Sequence, residues 1–422
     1  MTRARTCVML MLVCGVPASA QDAPLYQRAG QALRAAVDAL AQPEVARGRF
    51  HATAWGPAQT HIAIYLSAWR ITGEPKYLDY ARVPADWLVA ARQPLGGYAH
   101  SPFIHDLGSA ETFPATVTFR DARDRAAIEP ILAVYDATGD DRYLQAARQT
   151  ADLLLEAQFE CGAWPSVWPP PERNWNGLPM LNDYVTLSQT QTLMAVYRRA
   201  GDERYLAGIR RAGDFFVQFQ LPEPAPGWAQ QYCFDGRPAW GRAFEPPSVC
   251  GLPSAHAIGL LIDIHLLTGD PRYLGPIPAA LAWLQRARTG PREWARFYEP
   301  YTGRPIYARS HDRPELSYNR DVLYTGYAQF GDWGVDGFAA RWDRLQELGR
   351  EGLIAAEMAP PSADDLRGRI ADLEARVRDL IAPDGALGGY PANGANLSTL
   401  AGAVSQVTRY LEAVQALEQA GE

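Results

Sequence analysis

The sequence predicts an all-α protein, an (α/α) toroid assembled from repeated helical hairpins, and three observations carry that prediction. A seven-residue motif occurs four times: TGEPKYL from Thr72, TGDDRYL from Thr138, AGDERYL from Ala200 and TGDPRYL from Thr268, at spacings of 66, 62 and 68 residues. Each copy follows an apolar helical run and precedes a second, amphipathic one. An aromatic-rich loop then follows each second run. Hairpins of ~60 residues are longer than the common helical repeats, which leaves room for long connections gathered on one rim.

Taken in order, the apolar runs RAAIEPILAVYDA and TLSQTQTLMAVYRR lead into the second and third motifs, and QAARQTADLLLEAQ and AGIRRAGDFFVQFQ lead out of them. The motif itself stops one helix and starts the next. Its glycine suits the left-handed C′ position, where a side chain would be strained. The acidic residue after it can cap the following helix, and Pro75 and Pro271 suit a first helical turn. Its Tyr and Leu read as core, so the motif carries packing and no chemistry.

The loops after the second helices begin GGYAHS at Gly96, GAWPSV at Gly162, GWAQQY at Gly227, EWARFY at Glu293 and GGYPAN at Gly388. Five such loops at equivalent places suggest a shared cleft lined by aromatic faces, the surface a sugar chain stacks on; the competing reading is that some of these rings plug helix ends. The entry to the inner helix repeats as well. Asp121 lies 14 residues before Tyr135, and Asp183 lies 14 before Tyr197. An aspartate there is ordinarily an N-cap, a reading that stays open for Asp121, whereas Asp183, beside Asn182 and near the Trp164 loop, is the stronger site candidate.

Composition narrows the function. Residues 1–20 combine Arg3 and Arg5, the apolar run CVMLMLVCGV and the small residues Ala18–Ala20, the pattern of a cleavable export signal. It predicts a secreted or periplasmic protein whose domain spans 21–422, with no membrane span in it. The formal charge of −7 becomes −9 once Arg3 and Arg5 leave, which argues against nucleic acid as a partner. Lys76 is the only lysine, so any catalytic cation is an arginine. Cys161, Cys233 and Cys250 remain, enough for one disulfide whose pairing spacing does not decide. A monomer is expected. No GxSxG, GxGxxG, P-loop, HExxH or CxxC is present, and the seven histidines are scattered, which leaves carboxylates, arginines and aromatics.

At those residues the chain resembles the family 10 polysaccharide lyases, the pectic acid lyases. CGAWPSVWPPPERNWNGLPMLNDYVTLSQTQTLM resembles their G-G-W-P segment followed by an N-D pair that opens a helix. WAQQY with RPAWGRAFEPPSVCG resembles their W-x-x-Q and R-A-Y/F-E-P-P-S blocks, and WARFYEPYTGRPIYAR and NRDVLYTGYAQFG resemble their terminal blocks. The resemblance runs from about residue 161 to 334. It implies an (α/α) toroid that cleaves polygalacturonate by β-elimination, usually with calcium.

That chemistry must remove a proton α to an ionised carboxylate, so cations must hold the carboxylate and stabilise the enolate-like charge. The resemblance implies an arginine base, although arginine ordinarily holds its proton far above neutral pH. Arg296 and Arg309 are both candidates, the one that is not the base joining Arg304 as a carboxylate clamp. Trp164 and Trp228 are expected to stack on sugars, with Gln230, Asn182 and Asp121 as further contacts. Asp183 and Asp235 are the expected calcium ligands. Arg242 and Glu245 either bind substrate or form an ion pair that shapes the rim. Two departures stand out: Ala163 replaces a family glycine, and Cys233 sits where an aspartate is common. A hard calcium ion does not choose a neutral thiol, so either Asp235 substitutes or calcium binding is weakened. Two other classes stay open: a glycoside hydrolase using Asp121 and Asp183 as acid and base, and a non-catalytic pectin-binding protein.

Overall fold

The computed structural model describes residues 23–47, 50, 55–92, 96–97, 116–390 and 396–420. The export signal expected at 1–20, and Tyr98, His100 and His105, lie outside these. The fold class is the one the repeats predict, all-α hairpins of the (α/α)-toroid class.

The motif works as the sequence implies. Helices α4 (Arg123–Thr138), α6 (Val185–Ala200) and α8 (Gly251–Thr268) end at Gly139, Gly201 and Gly269, with φ of 67°, 64° and 73°. Each glycine amide bonds the carbonyl four residues back, on Tyr135, Tyr197 or His265. Asp140, Asp202 and Asp270 then accept the backbone N–H of Arg142, Arg204 and Arg272, starting the next helix. Those helices are α5 (Asp141–Ala157), α7 (Glu203–Gln218) and, after a 3-10 turn at Pro271–Leu274, α9 (Ile277–Arg286). Tyr143, Tyr205 and Tyr273 are fully buried, as core tyrosines should be.

The chain divides into two compact units. The smaller comprises the described residues within 1–48, 64–80 and 361–422, and within it α12 (Leu397–Gln419) packs on α11 (Ala363–Leu380) and on α1 (Leu25–Arg47). The first motif copy joins α2 (Trp55–Thr72) to α3 (Lys76–Ala90), and within the smaller unit Lys76 pairs with Asp38 at 2.8 Å. The larger unit, residues 49–63 and 81–360, holds the hairpins α4–α5, α6–α7 and α8–α9, then α10 (Val335–Met358). Among the described helices only α8 is long and apolar enough to cross a membrane, and 67% of it is buried within the protein, as in a core helix.

Short strands tie the connections together. β1 (Val117–Thr118) pairs antiparallel with β2 (Val167–Trp168). A second sheet has β3 (Val249–Cys250), β6 (Phe297–Tyr298), β7 (Pro305–Ala308) and β8 (Leu316–Ser317) in that order. A third sets β5 (Glu293–Ala295) between β4 (Arg288–Gly290) and β9 (Phe330–Gly331). Gly162 opens the second aromatic loop with φ 100°, and a Cβ there would lie 2.0 Å from the Arg211 carbonyl oxygen. Gly162→Ala is therefore expected to cost at least ~1–3 kcal/mol of stability, readable as a lowered urea midpoint.

Candidate active site

The site grows from one structural phrase used three times. Trp164, Trp228 and Trp294 are fully buried. Their indole N–H groups donate to the carbonyls of Leu154, Phe216 and Leu284 at 2.7, 2.9 and 2.6 Å. These carbonyls belong to the last turns of α5, α7 and α9, where helix geometry leaves acceptors without partners. The rings cap helices. Trp164 and Trp228 therefore have no face to offer a sugar, which corrects the stacking role expected of them. Trp228→Phe should leave the Phe216 carbonyl without its donor and cost about 1–3 kcal/mol. KM should stay within twofold, whereas loss of a stacking platform would raise it.

The last two copies also share a tyrosine latch. The Tyr232 hydroxyl accepts the Ala229 N–H at 2.7 Å and donates to the Phe219 carbonyl at 3.0 Å. The Tyr298 hydroxyl does the same with Ala295 at 2.8 Å and Ala287 at 2.7 Å. With ring and latch fixed, the residue two places after each tryptophan is fixed too: Ser166, Gln230 and Arg296 hold equivalent positions. Gln230 and Arg296 both reach the hydroxyl of Tyr327, at 3.2 and 3.1 Å.

Tyr327 is the hub that the sequence reading passed over. Its hydroxyl donates to Glu245 Oε1 at 2.9 Å, and its ring underlies the guanidinium carbons of Arg296 at 4.4 Å and Arg242 at 5.3 Å. Glu245 is wholly buried. Its Oε1 accepts Asn182 Nδ2 at 2.8 Å and an Arg242 guanidinium N–H at 2.5 Å, and its Oε2 accepts the Arg242 backbone N–H at 3.0 Å. Burial pushes the Glu245 carboxyl up, but the bonds from Arg242 and Tyr327 outweigh it and hold the group below the usual glutamate value. Arg242 is correspondingly held charged: burial works against its cation, and the bond to Glu245 more than compensates. The ion-pair reading of Arg242 and Glu245 is the geometry observed, and the expected contact residue Asn182 is spent on the same carboxylate.

Arg296 differs in kind. It is 8% exposed, its Nε donates to the Ala328 carbonyl at 2.6 Å, and Trp333 lies 5.1 Å from its guanidinium. Among the described residues no carboxylate pairs with it. Of the two guanidiniums on the Tyr327 ring, one is matched by a buried carboxylate and the other is not.

Asp183 lies in a 3-10 turn, Asn182–Tyr184, at the head of α6, with φ 50° and the next residue, Tyr184, at 60°. Asp121 and Ala122 repeat the device at the head of α4, with φ 59° and 53°, and the two turns pack together. Consecutive non-glycine residues at positive φ are strained, and aspartate tolerates the conformation better than most. The Leu181 and Asn182 amides share the Gln230 carbonyl at 2.7 and 2.8 Å, locking the turn to the third loop. Neither aspartate is an N-cap. Burial raises the Asp183 carboxyl above the usual aspartate value; Arg242 and Arg120 pull it down, and Glu245 and Asp121 add to the rise.

The other candidates stand elsewhere. Asp235 is exposed at the tip of the turn Cys233–Gly236, where it accepts the Arg237 N–H at 3.2 Å and pairs with its guanidinium at 2.7 Å. That turn satisfies Asp235 locally, and no group of three His, Cys, Asp or Glu residues among the described ones could hold a metal ion. Arg304 lies over the Tyr318 ring at 4.0 Å and Arg309 is exposed after β7, its amide on the Glu315 carbonyl. Cys161, Cys233 and Cys250 are free thiols. Tyr184 and Trp240, 40% and 41% exposed, keep open faces that the buried tryptophans lack.

Comparison with known proteins agrees with the motifs. The pectic acid lyase family model matches residues 123–183. That segment runs from the head of α4 to Asp183, ending inside the turn Asn182–Tyr184 on which the candidate site rests. No curated protein matches this chain. Among solved structures, a family 10 polysaccharide lyase from Cellvibrio cellulosa in complex with trigalacturonic acid superposes at TM-score 0.51 and 19% identity, covering 71% of this chain and 100% of that one. A second structure of the family 10 lyase from that organism gives TM-score 0.49 at 20% identity over 68% and 96% of the two chains. A cellobiose 2-epimerase from Spirochaeta thermophila gives 0.45 at 16%, over 85% and 86%. The first of these similarities establishes a shared fold.

Proposed function

We propose that the protein is an exported polysaccharide lyase that cleaves a uronate polymer, pectate in the first instance, by β-elimination. The observation that carries the proposal is Arg296, a buried arginine with no carboxylate partner among the described residues, set beside an arginine that has one. No carboxylate among the described residues competes with the substrate for Arg296, which leaves its guanidine free to face the reacting sugar, while the paired Arg242 supplies the positive charge. The family-model match over 123–183 supports the lyase class.

In this reading Arg242, kept cationic by Glu245, holds the uronate carboxylate and the negative charge that develops on it. Arg296, required as the neutral guanidine, takes the C5 proton as the C4–C5 double bond forms and the C4–O bond breaks, solvent water protonating the leaving sugar oxygen. Tyr327 orients Arg296, and the open faces of Tyr184 and Trp240 stack on neighbouring sugars. Arg309 and Arg304, both exposed on the β7–β8 arm, contact chain ends rather than the reacting sugar.

The donors for calcium are fewer than an all-protein site needs, since calcium takes six to eight oxygens. Asp183 has no hydrogen-bond donor among the described residues and shares its turn pair with Asp121, while Glu245 is saturated and Asp235 is bound to Arg237. Asp183 with Asp121 would therefore hold the ion together with the substrate's own carboxylates, and bound there it would neutralise uronate charge. Ultraviolet absorbance of the 4,5-unsaturated product on polygalacturonate tests the reading, and a chelator is expected to reduce the rate at least tenfold. Reducing sugar without new absorbance would instead indicate hydrolysis. The raised carboxyl of Asp183, near Asp121, is the observation that favours that alternative.

A further inference from the structure

The repeat that fixes Arg296 and Gln230 continues to a third position. Ser166 stands two residues after Trp164, and its hydroxyl donates to Asn176 Oδ1 at 2.7 Å. Asn174 caps the 3-10 turn Trp175–Gly177 through the Asn176 N–H at 3.0 Å, so Trp175 is held in a built loop. The Ser166 carbonyl accepts the Phe119 amide at 2.9 Å, and the Phe119 carbonyl takes Gln189 Nε2 at 3.1 Å. The residue these bonds position is Arg120.

Arg120 lies 6.0 Å from the Trp175 ring, and its buried Nε finds no acceptor among the described residues. Among the described residues no carboxylate pairs with it, although Asp121 is its neighbour: Asp121 pairs with Arg123 at 3.4 Å. Arg120 nonetheless acts electrostatically on Asp183, as Arg242 does. A half-buried guanidinium backed by an aromatic ring, with no ion-paired carboxylate among the described residues, is a receptor for a planar anion.

We propose that Arg120, backed by Trp175, is a further binding site for one carboxylate of an anionic sugar chain, separate from the carboxylate held by Arg242. This rests on the uronate-lyase reading and extends it to a substrate of several uronates. Arg120 takes no part in bond cleavage, and its contribution is to affinity.

Hexagalacturonate binding by calorimetry, together with turnover by absorbance, tests this with the full chain. Arg120→Gln is expected to weaken binding and raise KM about tenfold, with kcat within twofold of the parent and a shallower dependence of affinity on salt. Arg120→Lys is expected to recover part of the affinity, and Trp175→Ala to weaken binding in the same direction. Unchanged binding in Arg120→Gln, or a fall in kcat at unchanged KM, overturns the proposal. Weakened binding in Arg120→Gln, with no unsaturated product from the parent, would keep the anion site and sink the lyase. Turnover in the parent with unaltered binding in Arg120→Gln would do the reverse.

Discussion

Arg296→Ala is expected to lower the rate of unsaturated-product formation by on the order of 10²–10⁴-fold, the range for loss of a positioned acid–base group. Protein yield and the circular dichroism spectrum should be retained. The structure separates this loss from simple unfolding. Arg296 anchors through Nε on the Ala328 carbonyl and stacks on Tyr327 and Trp333, so alanine removes both, at a cost of about 1–3 kcal/mol. Arg296→Lys keeps a basic nitrogen near the same place but loses the planar fork that addresses carbonyl, hydroxyl and substrate together. It should therefore be nearly as inactive as alanine while melting closer to the parent. Arg309→Ala is the contrast: the exposed side chain should be worth less than tenfold in rate. If Arg309→Ala abolished turnover and Arg296→Ala did not, the assignment would be reversed.

The sequence made some of this legible because the features were local. Glycine followed by an acidic residue and a tyrosine is enough to end one helix, cap the next and fill the space between, so Gly139–Tyr143 and its copies could be read without tertiary information. The buried indoles could not. A tryptophan in a loop reads equally well as a sugar platform or as a donor to a helix-end carbonyl, and only the 2.7 Å bond from Trp164 to Leu154 decides. Asp235 failed for a related reason: two residues ahead of Arg237 it completes its own turn, and that local bond outcompetes a distant ion. Tyr327 was hidden because its partners, Gln230, Glu245 and Arg296, come from three separate stretches. One available signal was the alignment of WAQQY with WARFY, which places Gln230 and Arg296 at one structural position and implies a common partner.

Glu245→Ala is expected to have the largest effect on stability. Breaking a buried ion pair by removing one partner costs about 3–5 kcal/mol, and since Arg242 remains about one-third exposed the lower end applies. The loss also strips partners from Asn182 and Tyr327, so the Asp183 turn and the Arg296 anchor should loosen together, and turnover should fall with stability. Glu245→Gln isolates the charge. The donors converge on Oε1, which an amide oxygen can still serve, but an amide nitrogen in place of Oε2 would face the Arg242 backbone N–H, donor against donor. The pH dependence then gives a signature that packing alone would not. The Glu245 carboxyl titrates below the ordinary 4.5 in the folded protein, so its stabilisation is fully present above that value and is lost as pH falls through the lowered folded value. Melting temperatures of the parent and of Glu245→Gln should therefore differ most near neutral pH and converge toward pH 3. Other depressed carboxylates, among them Asp140, Asp202 and Asp270, are common to both proteins and cancel in the difference. A gap between the two curves that stayed constant from pH 7 to pH 3 would mean that Glu245 acts through shape rather than charge, and Arg242 would then have to be kept in place by its stacking on Phe244 and Tyr327.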